Sequence, residues 1–115
     1  MAIHIKRVYE APAEIDGYRV LVDRIWPRGL RKDEAQIDLW LKDIAPSTSL
    51  RQWFNHDPSK WREFKTRYFR ELKLHEDQVD QLKKQSKAKR LTLLYAAKDT
   101  ENNNAVALKE YLETR

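Results

Sequence analysis

The feature that most constrains the fold is an apolar run that ends abruptly in charged residues. Residues 20–22 are Val-Leu-Val, which is typical of a strand buried on both faces. Asp23 and Arg24 follow immediately, and Pro27 and Gly29 then turn the chain out of the strand. A strand of this kind belongs in a parallel sheet covered by helices, so the run predicts an α/β fold.

A second apolar run ends in the same way. Residues 91–97 (LTLLYAA) predict a buried strand, and Lys98 and Asp99 follow it. Because three predicted helices separate the two strands, the strands are most simply parallel. The carboxyl ends of parallel strands share one edge of the sheet, where α/β proteins bind ligands. The sequence thus predicts one domain over residues 1–115, with a small, mostly parallel sheet flanked by helices.

Local signals predict the remaining elements. Residues 3–9 alternate apolar and polar side chains, as in a strand with one face in water. The loop 10–17 is compatible with a hairpin onto the next strand. Residues 37–44 fit a short strand or a helix, and we favour the strand. The predicted helices cover about residues 47–55, 57–72, 75–88 and 104–113, with Ser47, Asp57 and Asn104 as N-cap residues.

Composition excludes several classes of function. The chain has 115 residues and no cysteine, which excludes disulfides, thiolate catalysis and cysteine-bound metals. It has no signal-peptide pattern and no apolar segment long enough to span a membrane, so we expect a cytoplasmic protein. The 23 Lys and Arg exceed the 18 Asp and Glu, and the net charge of +5 is compatible with an anionic partner.

Basic residues near the predicted strand ends are candidates for binding an anion. Arg24, Arg28 and Lys98, together with the turn at Gly29, can hold a phosphate or carboxylate, because the guanidinium fork matches both anions. Trp26 is the tryptophan that we expect to face such a ligand. Alternatively, Arg24 forms a structural ion pair with a neighbouring aspartate.

Three residues are candidates for acid–base chemistry. Asp23 and Asp99 can form a carboxylate pair, and His56 can act as a general base. The alternative, which we favour, is that adjacent cations neutralise both aspartates and that His56 is a hydrogen-bonded anchor beside the short helix. His4 and His75 lack partners at metal-ligand spacing, so no metal site is predicted. No cofactor is indicated either.

Several segments resemble a known family. RVLVDRIWPRGL, LKDIAPS, WFNHDPSKWREF and LLYAAKD look like the YeaO-like branch of DUF488, a domain of unknown function. The resemblance implies a small cytoplasmic α/β protein. Members often carry His-Asn-His where this chain has residues 102–104, and this implies that Asn102 and Asn104 belong to the site. An asparagine can donate and accept hydrogen bonds, but it cannot exchange protons at neutral pH.

These patterns lead to three functional hypotheses. The first is a module that binds, and can act on, a small anionic ligand such as a nucleotide or sugar phosphate. The second is a non-catalytic accessory protein that binds nucleic acid through its basic surface and Trp26. The third is a protein-interaction module. The sequence leaves open whether the chain is an enzyme.

Overall fold

The strand β4 (Leu91–Tyr95) is the centre of the fold, because each of its five residues is buried. The computed structural model describes residues 3–114. In it, β4 pairs in parallel with β1 (Ile3–Arg7) on one side and with β2 (Tyr18–Leu21) on the other. The two-residue strand β3 (Leu39–Trp40) extends the sheet beyond β2. The order is therefore β1-β4-β2-β3, with all four strands parallel.

Within residues 3–114, five α-helices accompany this sheet. The short α1 lies between β2 and β3, α2 to α4 lie between β3 and β4, and α5 follows β4. Their bounds are α1 Lys32–Ala35, α2 Thr48–Phe54, α3 Trp61–Leu72, α4 Glu76–Ala88 and α5 Asn104–Thr114. No helix in this part of the chain combines the length and the apolar composition needed to cross a membrane.

The alternation of side chains along β4 creates two apolar layers. Leu91, Leu93 and Tyr95 join the large core beneath the helices. Leu94 points to the opposite face, where it packs with Leu21 in a smaller cluster that loops and α1 cover. A strand with both faces buried in this way has no polar face, which explains its uninterrupted apolar sequence.

The helices begin and pack largely as their sequences predict. Ser47 caps α2, because its Oγ accepts a hydrogen bond of 3.2 Å from the Leu50 N–H. Asp57 caps the 3-10 turn that leads into α3 by accepting from the Ser59 N–H at 3.0 Å. Along α3, Phe64, Tyr68 and Leu72 are buried at helical spacing. The predicted α/β class and single domain are therefore confirmed.

Two local predictions are wrong. The loop 10–17 does not close a hairpin, because β1 and β2 lie on opposite sides of β4 and run parallel to each other. Asn104 does not cap α5. Asn103 does so instead, since its Oδ1 accepts from the Val106 N–H at 2.9 Å and its carbonyl accepts from the Ala107 N–H at 3.2 Å. This one-residue difference directs the Asn104 side chain to another partner.

A buried ion-pair network stabilises the segment that leads into β2. Asp16 accepts from Arg19 Nη1 at 2.5 Å and from Lys6 Nζ at 3.0 Å, and Arg19 is only 4% exposed. Burial alone would raise the pKa of Asp16. Hydrogen bonds from the Ala13 N–H, Lys6 and Arg19 outweigh burial and hold this pKa below its ordinary value. The network was not predicted from the sequence.

Removing the carboxylate of this network should destabilise the protein strongly. We expect Asp16→Ala to lower the free energy of unfolding by about 3–5 kcal/mol, because Arg19 stays buried without its anionic partner. Asp16 contributes this stability above its unfolded-state pKa, and the contribution is lost as the pH falls through the lower folded-state pKa. Urea unfolding at neutral and acidic pH measures both effects.

The matched control is Asp33→Ala, which breaks an exposed ion pair with Arg31. We expect little change, because water screens exposed pairs. Equal losses in Asp16→Ala and Asp33→Ala would contradict the importance of the buried network.

Candidate functional site

The carboxyl ends of three strands bring charged residues to one edge of the sheet. Leu21 of β2 is in register with Leu94 of β4, and Arg7 of β1 is in register with Tyr95. The segment that begins at Asp23 and the segment that begins at Lys98 therefore leave the sheet on the same side. We call this surface the carboxyl edge. Its position agrees with where ligands bind in open α/β sheets.

Asp23 is a partly buried carboxylate at the centre of the carboxyl edge. One oxygen accepts a hydrogen bond of 3.0 Å from the Ala96 N–H, and the other accepts one of 3.0 Å from Asn104 Nδ2. Burial raises the pKa of Asp23, while the Asn104 amide, the Ala96 N–H and the charge of Arg51 all act in the opposite direction. Donors from the segment after β4 thus occupy both carboxylate oxygens.

Asn104 joins the two strand ends. Its Nδ2 donates to the Val22 carbonyl at 2.9 Å as well as to Asp23. Because Asn103 takes the capping role, the Asn104 side chain is free to make these contacts. The structure therefore brings Asp23 and Asn104 together at the carboxyl edge.

Arg24 holds the segment before α2 instead of pairing with an aspartate. Its Nε donates to the Pro46 carbonyl and its Nη2 donates to the Ala45 carbonyl, both at 3.1 Å. The buried Tyr68 hydroxyl donates to the preceding carbonyl, that of Ile44, at 2.7 Å. Burial raises the pKa of Tyr68 well above its ordinary value, so this hydroxyl remains a donor.

The ring of Trp26 packs on the smaller apolar cluster. Its Nε1 donates to the Leu30 carbonyl at 2.9 Å, and its ring meets Trp40 edge-on at a centroid distance of 5.4 Å. Lys32 Nζ lies 5.7 Å from the centre of the ring. These contacts fix the orientation of Trp26 and give its ring a structural role.

Arg28, Gly29 and Lys98 are the exposed members of the carboxyl edge. The Arg28 carbonyl accepts from the Tyr9 hydroxyl at 2.8 Å, which ties this loop to the end of β1. Gly29 has a φ of +75°, where a residue with a side chain would be strained. Within residues 3–114, neither the Arg28 guanidinium nor the Lys98 ammonium forms an ion pair.

Asp99 is held by the loop that follows it. Its Oδ1 accepts from the Glu101 N–H at 2.9 Å and from the Asn102 N–H at 3.0 Å, while Asn102 Nδ2 donates to Oδ2 at 3.2 Å. The backbone donors of Asn102 and Glu101 outweigh its slight burial and lower the pKa of Asp99. Asp99 and Asp23 therefore have separate sets of donors.

His56 lies on the surface just after α2. It has a φ of +55°, and its charge acts weakly on the pKa of Asp99. The prediction that His56 is a hydrogen-bonded anchor is wrong, since its side chain makes no hydrogen bond to any residue that the structure describes. The fold nevertheless brings His56 towards the loop that contains Asp99.

Arg7 is a member of the carboxyl edge that was not predicted from the sequence. Its Nε donates to the Ala97 carbonyl at 3.0 Å, and its guanidinium carbon lies 4.8 Å from the centre of the Tyr9 ring. The available signal was a basic residue at the end of the first predicted strand. That signal was uninformative without knowing that β1 is the parallel neighbour of β4.

The acidic and the basic side chains of the carboxyl edge differ in whether they have partners within the protein. Protein donors occupy Asp23 and Asp99, whereas Arg24, Arg28 and Lys98 have no carboxylate partner within the described range. The arrangement can therefore attract an anion more readily than it can move a proton. No group of three or more His, Asp or Glu in the described residues could hold a metal ion.

Removing the Asn104 amide should raise the pKa of Asp23 further. In Asn104→Ala this carboxylate loses the donor that most favours its charged form. At neutral pH we expect the free energy of unfolding to fall by about 1–3 kcal/mol. Because a raised folded-state pKa costs stability as the pH rises through it, part of this loss should disappear in acid. Carboxyl-carbon NMR titration and urea unfolding measure the two effects.

Asn102→Ala is the control for this experiment. It should raise the pKa of Asp99 and leave that of Asp23 unchanged. An unchanged pKa for Asp23 in Asn104→Ala would show that the amide does not stabilise the buried carboxylate.

Comparisons with known proteins identify the family. The family description "Inactive DUF488-N3 subclade" matches residues 2–115. The chain is 43% identical over 114 residues to "Uncharacterized protein YeaO" of Escherichia coli, covering 99% of each chain. It is 40% identical over 114 residues to "Uncharacterized protein Mb3100c" of Mycobacterium bovis, covering 98% of this chain and 95% of the relative. No solved structure matches. The resemblance seen in the sequence is thus confirmed, and the chain belongs to the DUF488 family.

Proposed function

We propose that the protein binds a small anion, such as a nucleotide or sugar phosphate, at the carboxyl edge without catalysing a reaction. The observation that carries the proposal is the distribution of unpaired positive charge. At the opposite end of β2, Lys6 and Arg19 each form an ion pair with Asp16. At the carboxyl edge, Arg24, Arg28 and Lys98 remain without an anionic partner in the described range.

The three cations have different roles in this proposal. Arg28 and Lys98 are exposed and can contact the ligand directly. Arg28 offers a planar pair of donors, whereas Lys98 offers a compact point charge. Arg24 uses two of its nitrogens on the backbone of residues 45–46, so it contributes mainly its charge to the local field.

Two observations support binding without catalysis. A general base must accept the substrate proton, and the hydrogen bonds that the oxygens of Asp23 and Asp99 accept from the protein favour the charged carboxylate over the protonated form. Asn102 and Asn104 cannot exchange protons at neutral pH. The description of the matching family as "Inactive" agrees with this interpretation.

The second candidate is a nucleic-acid-binding protein. Each of the four tryptophans has a Lys or Arg over its ring, which places cations beside aromatic side chains in the way that single-strand binders do. These cations cover the rings that bases would otherwise stack on. We therefore favour the small anion.

Thermal unfolding against a panel of phosphorylated metabolites, nucleotides and short oligonucleotides tests the proposal. A ligand at 100 times its dissociation constant adds about 2.7 kcal/mol to the free energy of unfolding. For a domain near this size the midpoint should rise by roughly 4–8 °C. We expect one small compound to give such a shift at low and at moderate salt. Shifts from oligonucleotides alone that salt abolishes would support the second candidate.

Variants then locate the binding site. Arg28→Ala and Lys98→Ala should each reduce the shift, because both side chains are exposed and unpaired. Arg62→Ala removes the same charge from an exposed position on α3 and should leave the shift unchanged. A shift that survives the double substitution of Arg28 and Lys98 would overturn the assignment of the site.

A further inference from the structure

β1 is an edge strand with hydrogen-bonding groups on its outer side. The Val8 N–H donates to the Tyr95 carbonyl at 2.7 Å, so the backbone groups of the even-numbered residues point towards β4. Backbone direction alternates along a strand, and the groups of Ile3, Ile5 and Arg7 therefore point away from the sheet.

Glu10 covers only one end of this outer edge. Its Oε2 accepts from the Arg7 N–H at 3.0 Å, and its own N–H donates to the Arg7 carbonyl at 3.0 Å. The corresponding groups of Ile3 and Ile5 have no partner within residues 3–114. An unpaired edge of this kind is a template for another strand.

The features that usually protect an edge strand are missing from the open part of β1. The strand contains no proline, and Ile3 and Ile5, whose backbone groups are open, carry apolar side chains that pack on the core. Its lysine, Lys6, folds back onto Asp16 and the Ala11 carbonyl, at 3.0 and 2.7 Å. A charged lysine at the edge would discourage pairing with another strand. Lys6 does not have this effect, because Asp16 and the Ala11 carbonyl hold its ammonium group.

We propose that a second copy of the chain pairs with β1 in an antiparallel arrangement about a two-fold axis. Because Arg7 is already engaged, the register that uses the open groups places Ile3 opposite the second copy's Ile5. The two residues of each such pair exchange both backbone hydrogen bonds. His4 then lies opposite the second copy's His4, at the axis, where side chains approach most closely.

The surroundings of β1 suit a second copy because their charges are self-complementary. A groove of about 310 Å³ lies over β1 and the start of β4 and is lined by His4, Glu10, Ile15 and Arg90, among others. Glu10 follows the carboxyl end of β1, whereas Arg90 precedes the amino end of β4. A two-fold axis reverses the strand direction, so it brings Glu10 of each copy towards Arg90 of the other.

Light scattering coupled to gel filtration, over a range of protein concentrations up to the millimolar, tests the proposal. We expect wild-type protein to reach a mass twice the 13.8 kDa of one chain. His4→Glu and His4→Lys should each raise the dissociation constant of the dimer about fivefold or more, because like charges then oppose each other at the axis. His4 is exposed, so we expect both variants to fold.

Mixing the two variants makes the test specific for the two-fold axis. Glu from one copy then faces Lys from the other, and we expect the mixture to dimerise more tightly than either variant does alone. His75→Glu, on the corner between α3 and α4, is the control and should dimerise as wild type does. A wild type that stays monomeric would overturn the proposal. A dimer that ignores both His4 substitutions, or a mixture that dimerises no more tightly than either variant, would overturn it as well.

Discussion

The burial of β4 on both faces and along both edges is the constraint on which the rest of the structure depends. Its backbone pairs with β1 and β2, and its side chains supply both apolar layers. Fully burying a large apolar side chain contributes about 1.5–3 kcal/mol. Burying both faces of the strand therefore stabilises the fold and requires that other segments cover each face. The helices α2 to α5 serve one face, and loops with α1 serve the other.

The basic residues at the two ends of the sheet have different kinds of partner. Near the start of β2, Asp16 lies between Lys6 and Arg19 and forms an ion pair with each within a buried network. At the carboxyl edge, the guanidinium of Arg24 binds backbone carbonyls, which orient the group, and it forms no ion pair with any residue that the structure describes. Buried charge is tolerated where partners surround it. Uncompensated charge at an accessible edge is compatible with a role in recognition.

The asparagines of residues 102–104 connect the family relationship to the structure. Each amide has a different partner: Asn102 binds Asp99, Asn103 caps α5 and Asn104 binds Asp23. The resemblance implied that these positions matter because other members carry histidines there. In this chain the side chains hold carboxylates and a helix end in place. The same positions can therefore support the architecture of the edge without exchanging protons.

The sequence by itself determined the elements that depend on local patterns. The sequence predicted the apolar runs of β2 and β4, the apolar stripe along α3 and the caps at Ser47 and Asp57. These features are predictable because the spacing of buried residues and the chemistry of helix caps depend on neighbouring residues in the chain. The parallel relation of β2 and β4 followed from the helices between them. That relation correctly placed Asp23 and Lys98 at one edge.

Only the tertiary structure decided which strands are neighbours and which side chains meet. β1 lies beside β4, not β2, because long-range packing selects strand order and leaves no local signal. The pairing of Asp16 with Arg19, the position of Arg7 and the carbonyl partners of Arg24 all depend on that order. The exchange of roles between Asn103 and Asn104 has a different physical reason. The residue at which α5 begins decides which amide caps the helix and which reaches Asp23, and a shift of one residue exchanges the two roles.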